Sequence, residues 1–267
     1  MCKILILTGH NPAQRNHLIR TAWRYFDRSR ERDGFGAAWI SASGKLAHIR
    51  SSAPTLTDRH PEWADGWHHA ENTKEASNGG PLLIHGRTAT CGKSLTNTHP
   101  MLAPGHALVH NGVVSSDEYR NESTTCDSEL ILRALLAKST DGLAAIRGYF
   151  AFAHLDLTAR RLTIARDDQA GLHSAKIPGH GWAFGTTTEA VAIATTACPV
   201  PVKDNVAVSF DTRKPHRPLS ISTITKAPPK PRVEYQPKFD SDWPATVSEH
   251  VARRHHRTAS LRDVVTQ

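Results

Sequence analysis

At 267 residues, with 39% hydrophobic and 22% charged side chains, the chain has the composition of a globular protein able to bury one full core, or one domain with an extension. No apolar run approaches the ~18 residues of a membrane span, and polar sequence begins at Thr8-Gly9-His10; this excludes a signal-peptide layout and predicts a cytoplasmic protein that engages no membrane. The formal charge of +8 is dispersed in the first half and gathers again at Arg253, Arg254, Arg257 and Arg262, but no recognition-helix, RNP or zinc-finger pattern accompanies it, so a solvated basic surface is expected rather than a nucleic-acid interface.

In chain order, a strand at Lys3–Thr8 leads through Asn11-Pro12 into a helix of about four turns, with Leu18, Ile19, Ala22, Trp23 and Phe26 at helical spacing. Asp33-Gly34 stops it, and Phe35–Ile40 reads as a strand. Residues 51–80 are polar and predict a long surface excursion. Leu82-Leu83-Ile84 restarts a strand that runs towards Arg87, and Ala107-Leu108-Val109 and Val113-Val114 flank Asn111-Gly112. A second helix is predicted from Ser128 to about Lys138, then strands at Tyr149–Leu155, Leu162–Ala165 and Trp182–Gly185, a helix over Glu189–Thr195, and a hairpin of Val206–Phe210 with Leu219–Thr223. Many strands with few amphipathic helices predict a layered α+β domain over residues 2–225. Pro228-Pro229-Lys230-Pro231 then opens a Pro-rich linker and basic tail, 226–267.

Four cysteines, Cys2, Cys91, Cys126 and Cys198, form no CxxC pair, and the seventeen histidines include no HExxH. Neither a disulfide framework nor a metal site is expected, and no cofactor. The position of Cys2 directly behind Met1 is informative. A small side chain at residue 2 permits removal of the initiator methionine, which would place a thiol and an α-amine of pKa near ~8 on one residue, a nucleophile with its own base. Read locally, Cys2 merely opens a buried strand. The other segments have equally plain local readings: Arg87 as a strand-end surface residue, Asn111-Gly112 as a hairpin turn and Asp127 as a helix N-cap.

Taken together and in order, these segments resemble the class II glutamine amidotransferases, a family of N-terminal-nucleophile hydrolases. Its motifs stand here as Cys2, Asp33-Gly34-Phe35-Gly36, His85-Gly86-Arg87-Thr88-Ala89-Thr90-Cys91-Gly92, Asn97-Thr98-His99-Pro100, His110-Asn111-Gly112 and Asp127-Ser128-Glu129. Gly148–Ala153 and Ala165-Arg166-Asp167 look like its core strands, so the similarity covers roughly residues 2–225. The resemblance implies a four-layered αββα sandwich. It implies that Cys2 attacks the side-chain amide of L-glutamine, that Asn111 and the Gly112 N–H hold the oxyanion, that Arg87 reads the α-carboxylate with Thr90 beside it, and that Asp127 reads the α-ammonium group. The chain departs from the family at Lys3, where glycine is frequent and where a basic side chain would either lower the thiol pKa or point to solvent. It also has Thr88 in place of a frequent tryptophan and Cys91 in place of a frequent histidine, which leaves cover over the site to Trp63 and Trp67. The resemblance is closest to the stand-alone branch. It implies a separate ammonia-accepting synthetase as partner, with the basic tail as docking element; the alternatives are an amidohydrolase of other γ-glutamyl amides and a catalytically idle scaffold that retains the fold.

Overall fold

The computed structural model describes residues 2–29, 31, 33–52, 77–90, 92 and 94–228; Trp63, Trp67, Cys91 and the basic tail fall outside the described residues. Strand β1, Lys3–Leu7, is buried on both faces from Ile4 onward, which explains its unbroken run of aliphatic residues. Asn11 caps a short 3-10 turn at Pro12–Gln14 by accepting a hydrogen bond from the Ala13 N–H (3.0 Å), and helix α1, Arg15–Arg28, follows with Leu18, Ile19, Ala22, Trp23 and Phe26 buried. Strands β2 (Phe35–Ser41), β3 (Leu46–Ser51) and β4 (Ser77–Gly86) come next, then β5 (Met101–Ala103) and β6 (His106–Ser115). Helix α2 is Ser128–Lys138. Strands β7 (Arg147–Asp156), β8 (Arg161–Arg166), β9 (His173–Ile177) and β10 (Gly181–Gly185) lead to a short helix α3, Thr188–Ala192. Strands β11 (Val200–Pro201), β12 (Val206–Asp211) and β13 (Pro218–Thr223) complete the described fold.

The strands form two antiparallel sheets, a seven-stranded one in the order β11-β9-β10-β1-β4-β2-β3 and a six-stranded one in the order β13-β12-β8-β7-β6-β5. Successive side chains on a strand point to opposite faces, and the buried clusters follow that rule. Leu5, Leu7, Leu82 and Ile84 pack outward against Leu18, Ile19, Trp23 and Phe26 of α1. Ile4, Ile6, Ala38 and Leu83 pack inward against Ala107, Val109, Ala151, Ala153 and Ile164 of the second sheet. Leu108, Phe150, Phe152 and Ala207 pack on the far side against Leu130, Ile131, Ala134 and Leu135 of α2. Three apolar interfaces between four layers make an αββα sandwich, and each fully buried large side chain contributes about 1.5–3 kcal/mol. No helix among the described residues is long and apolar enough to cross a membrane.

Several local expectations need correction. The strand expected to begin at Leu82 begins at Ser77, inside the polar stretch, because backbone pairing with β2 past a register shift between Trp39 and Ser41 carries it. Strands β3, β5, β9 and β11 had no sequence signature: they are short, or lie at or near sheet edges with half-exposed side chains, where alternation is weak. The helix expected over Glu189–Thr195 is one turn, capped by the Thr187 hydroxyl.

Candidate active site

Cys2 continues the alternation of β1 and so faces the gap between the sheets, on the side of Ile4 and Ile6. The β1–β4 register pairs Lys3 with Gly86, which sets Cys2 beside Arg87. The Cys2 thiol donates to the Thr88 carbonyl (3.3 Å) and its sulfur accepts from the Thr88 N–H (3.4 Å). Burial pushes the thiol pKa up; the Thr88 N–H and the Arg87 guanidinium oppose that rise, and the Asp127 carboxylate adds to it. The net direction is upward, so the thiol is protonated at neutral pH and needs a base to react. Lys3 does neither of the two things expected of it. Its Nζ pairs with the buried Glu31 carboxylate at 2.8 Å.

Arg87 is not a surface residue but 2% exposed. Its Nη2 donates to the Gly92 carbonyl (2.9 Å), which also accepts from Asn97 Nδ2 (3.2 Å), and Asn97 Oδ1 in turn accepts from the Thr125 hydroxyl (2.7 Å). Asp33 and Gly34 clamp the chain where it leaves β4: the Arg87 N–H donates to the Gly34 carbonyl (2.8 Å), the Asp33 N–H to the Arg87 carbonyl (3.0 Å), and the Ala89 N–H to the Asp33 carboxylate (2.9 Å). Gly36 matters through close approach, because a Cβ there would stand 2.0 Å from the His99 carbonyl oxygen. Thr90 stands exposed at the bend after Ala89, whereas Thr88 makes the contacts to Cys2.

The second half of the site stands on the other sheet. Asn111-Gly112 is no hairpin turn: β6 runs straight through it, with Asn111 opposite Ala151 and Gly112 opposite Phe150. Gly112 has φ +148°, and a Cβ would meet the Tyr149 carbonyl oxygen at 2.1 Å and His110 Nε2 at 2.8 Å, so only glycine fits. Asn111 shares the face of Ala107 and Val109, is 7% exposed, and its carboxamide makes no hydrogen bond to another described residue. Asp127 precedes α2 without capping it. Its Oδ2 accepts from the Val114 N–H of β6 (3.0 Å), and Glu129 receives the Thr125 and Cys126 N–H groups instead (3.1 and 3.2 Å).

Four residues of the motif segments had no role assigned from sequence. His85, His99 and His110 are buried around the Ser128 hydroxyl, which lies 2.9 Å from His99 Nε2 and 2.9 Å from His110 Nδ1. The His85 and His99 rings stand 4.1 Å apart, and His85 Nε2 lies 3.0 Å from the His110 carbonyl oxygen. Burial dominates their protonation. It lowers His85 to about 3 and His110 to about 4, the latter against the pull of Asp127 and Asp167, and takes His99 well below its ordinary range. The cluster is neutral at neutral pH. Its sequence signal was the recurrence of histidine in three of the motif segments.

The site therefore brings together Cys2, Thr88 and Arg87 at the end of one sheet with the electrostatic reach of Asp127, anchored on β6 of the other, inside the αββα sandwich. Residues 87–192 match the family model of the glutamine amidotransferase domain. Among solved structures, it is similar to the glutamine phosphoribosylpyrophosphate amidotransferase from B. subtilis complexed with ADP and GMP (TM-score 0.59, 15% identity, 84% of this chain and 49% of that one). It is likewise similar to a structure described as the allosteric regulatory enzyme of purine biosynthesis (0.60, 17%, 80% and 48%). A predicted glutamine amidotransferase from Pseudomonas aeruginosa PA01 is also similar (0.42, 16%, 82% and 95%). The first two share the fold, and the chain spans about half of their length. No curated protein sequence matches the chain.

Proposed function

We propose that residues 2–225 form a glutaminase that hydrolyses L-glutamine to glutamate and ammonia through a thioester on Cys2. The observation that carries this reading is the Cys2 thiol held against the Thr88 backbone within the fields of both Arg87 and Asp127. A cation and an anion flanking a nucleophile match the carboxylate and ammonium of a free amino-acid head group. Because burial keeps the thiol protonated, the reaction requires a proton acceptor, and the Cys2 α-amine, once Met1 is removed, is the base at hand. Sγ attacks the amide carbon of glutamine while the thiol proton passes to the α-amine. Asn111 Nδ2 and the Gly112 N–H donate to the oxyanion. The C–N bond then breaks, the proton leaves with ammonia, and water cleaves the thioester to release glutamate and restore the thiol.

Arg87 presents a planar two-donor fork to the α-carboxylate, Thr88 and Thr90 flank it, and the Asp127 carboxylate, anchored on β6, meets the ammonium group. On this reading ammonia passes to an acceptor synthetase in trans, and residues 226–267 are the docking element; pull-downs with the full chain and with a chain ending at residue 226 should differ in the synthetase recovered. Intact mass and glutaminase turnover test the core of the proposal. Met1 should be absent, and Cys2→Ala should lower turnover ~10³-fold or more. Retained Met1 or an active Cys2→Ala chain would refute the mechanism, and faster turnover of γ-glutamyl amines than of glutamine would move the substrate to that class.

A further inference from the structure

The two halves of the site stand on different sheets, and one fully buried side chain joins them. His85 lies two residues before Arg87 on β4, on the inward face with Leu83. Its Nε2 reaches across the sandwich to the carbonyl oxygen of His110, the residue that precedes Asn111 on β6 (3.0 Å). A carbonyl can only accept, so in the neutral ring Nε2 carries the proton, and Nδ1 is left a buried acceptor with no hydrogen-bond partner among the described residues. This bond holds the peptide plane that enters Asn111-Gly112, where the strand already departs from regular geometry at Gly112.

The side chain of the same His110 is held from behind. Its Nδ1 meets the Ser128 hydroxyl, that hydroxyl meets His99 Nε2, and the His99 ring lies against His85. The contacts form a closed circuit, His85–His110–Ser128–His99–His85, in which the His110 backbone is fixed from one sheet and its side chain from α2. None of the four side chains carries charge at neutral pH, since burial depresses all three imidazoles. The circuit therefore adds no ion beside Arg87, and geometry is what it supplies.

We propose that His85 and Ser128 are positioning residues that set the Asn111–Gly112 segment of the second sheet in register with Cys2 and Arg87 of the first. The assignment rests on the glutaminase reading of the site. Oxyanion donors act only within a few tenths of an ångström of their place, and a displacement of about 1 Å costs on the order of 100-fold in rate. Loss of the His85 bond should therefore lower kcat and leave head-group recognition by Arg87 and Asp127 largely intact.

The test compares the full-length wild type with His85→Leu, His85→Gln and Ser128→Ala, by glutamine kinetics and by hydrogen exchange of the segment 108–114. His85→Leu should lower kcat about 10- to 100-fold with KM changed less than about threefold, and should speed exchange in that segment. His85→Gln, whose amide N–H can reach the same carbonyl, should recover most of kcat and the slow exchange. Wild-type kcat in a folded His85→Leu chain, or unchanged exchange in the segment, would overturn the proposal, as would Gln failing to rescue. Should His85→Leu not fold, Ser128→Ala decides: about tenfold lower kcat at unchanged KM supports the circuit, and wild-type kcat refutes it. A wild type with no glutamine turnover would refute the functional reading instead, and the exchange comparison would still decide the positioning role.

Discussion

Strands β4 and β6 deliver their halves of the site in opposite ways. β4 carries its residues past its end: Arg87 and Thr88 leave the ladder and are held by an irregular web of Asp33, Gly34, Gly92 and Asn97. β6 carries Asn111 and Gly112 in mid-strand, fixed by ladder pairing on β7, with the Asp127 carboxylate on Val114 two residues on. On the proposed glutaminase reading, the difference suits what each half would do. A head-group pocket needs side chains placed around a ligand, which a loop does well, whereas an oxyanion site needs a backbone N–H held at one point, which a paired strand does better.

Changes to either half should break this comparison differently. The largest effect belongs to Gly112→Ala. The added Cβ collides with the Tyr149 carbonyl and with His110, so kcat should fall about 10²- to 10³-fold, and the strained backbone should cost roughly 1–3 kcal/mol of stability; steady-state kinetics and thermal unfolding read both. Arg87→Lys is expected to act on the other half alone. It keeps the charge and loses the two-donor fork, so KM for glutamine should rise about 10- to 100-fold while kcat changes less. Equal loss in kcat and KM would mean that the two halves are not separable.

The smallest effect on activity near neutral pH, and the one that reports on the fold, is the pH dependence of stability. His85 stands near about 3, His10, His110 and His154 near about 4, and His99 well below its ordinary value, all chiefly through burial. In the unfolded chain each titrates near ~6.5. Between those values the unfolded state binds more protons, so stability is complete above about pH 6.5 and is lost as pH falls towards 4, by ~1.4 kcal/mol per pH unit for each proton taken up. Unfolding midpoints at pH 7.5, 6 and 5 should fall in that order, and a flat profile would show that these imidazoles are not buried neutral.

Much of the layered fold was legible in the sequence because both faces of its central strands are covered. The run Ile4–Leu7, the helical spacing of Leu18 to Phe26 and the apolar face of Leu130 to Leu135 carry their burial in their composition. Edge strands such as β3 and β11 did not, since their pairing is made by backbone groups that every residue owns. The site was legible only as a set. Asn111-Gly112 read alone is a turn and Asp127 read alone is a cap, and the structure makes them neither: a Tyr149 carbonyl leaves room only for glycine in mid-strand, and the Asp127 carboxylate turns to the Val114 N–H of β6 instead of to its own helix. By itself the sequence determined which residue types are on offer for chemistry and in what order, because side-chain type is a local property. Only the tertiary structure decided that His85, His99, His110 and Ser128 close into one buried circuit, that Lys3 turns to Glu31, and that Thr88 rather than Thr90 contacts the thiol. Those outcomes depend on which atoms two sheets and a helix bring within 3–4 Å, and no single segment encodes that distance.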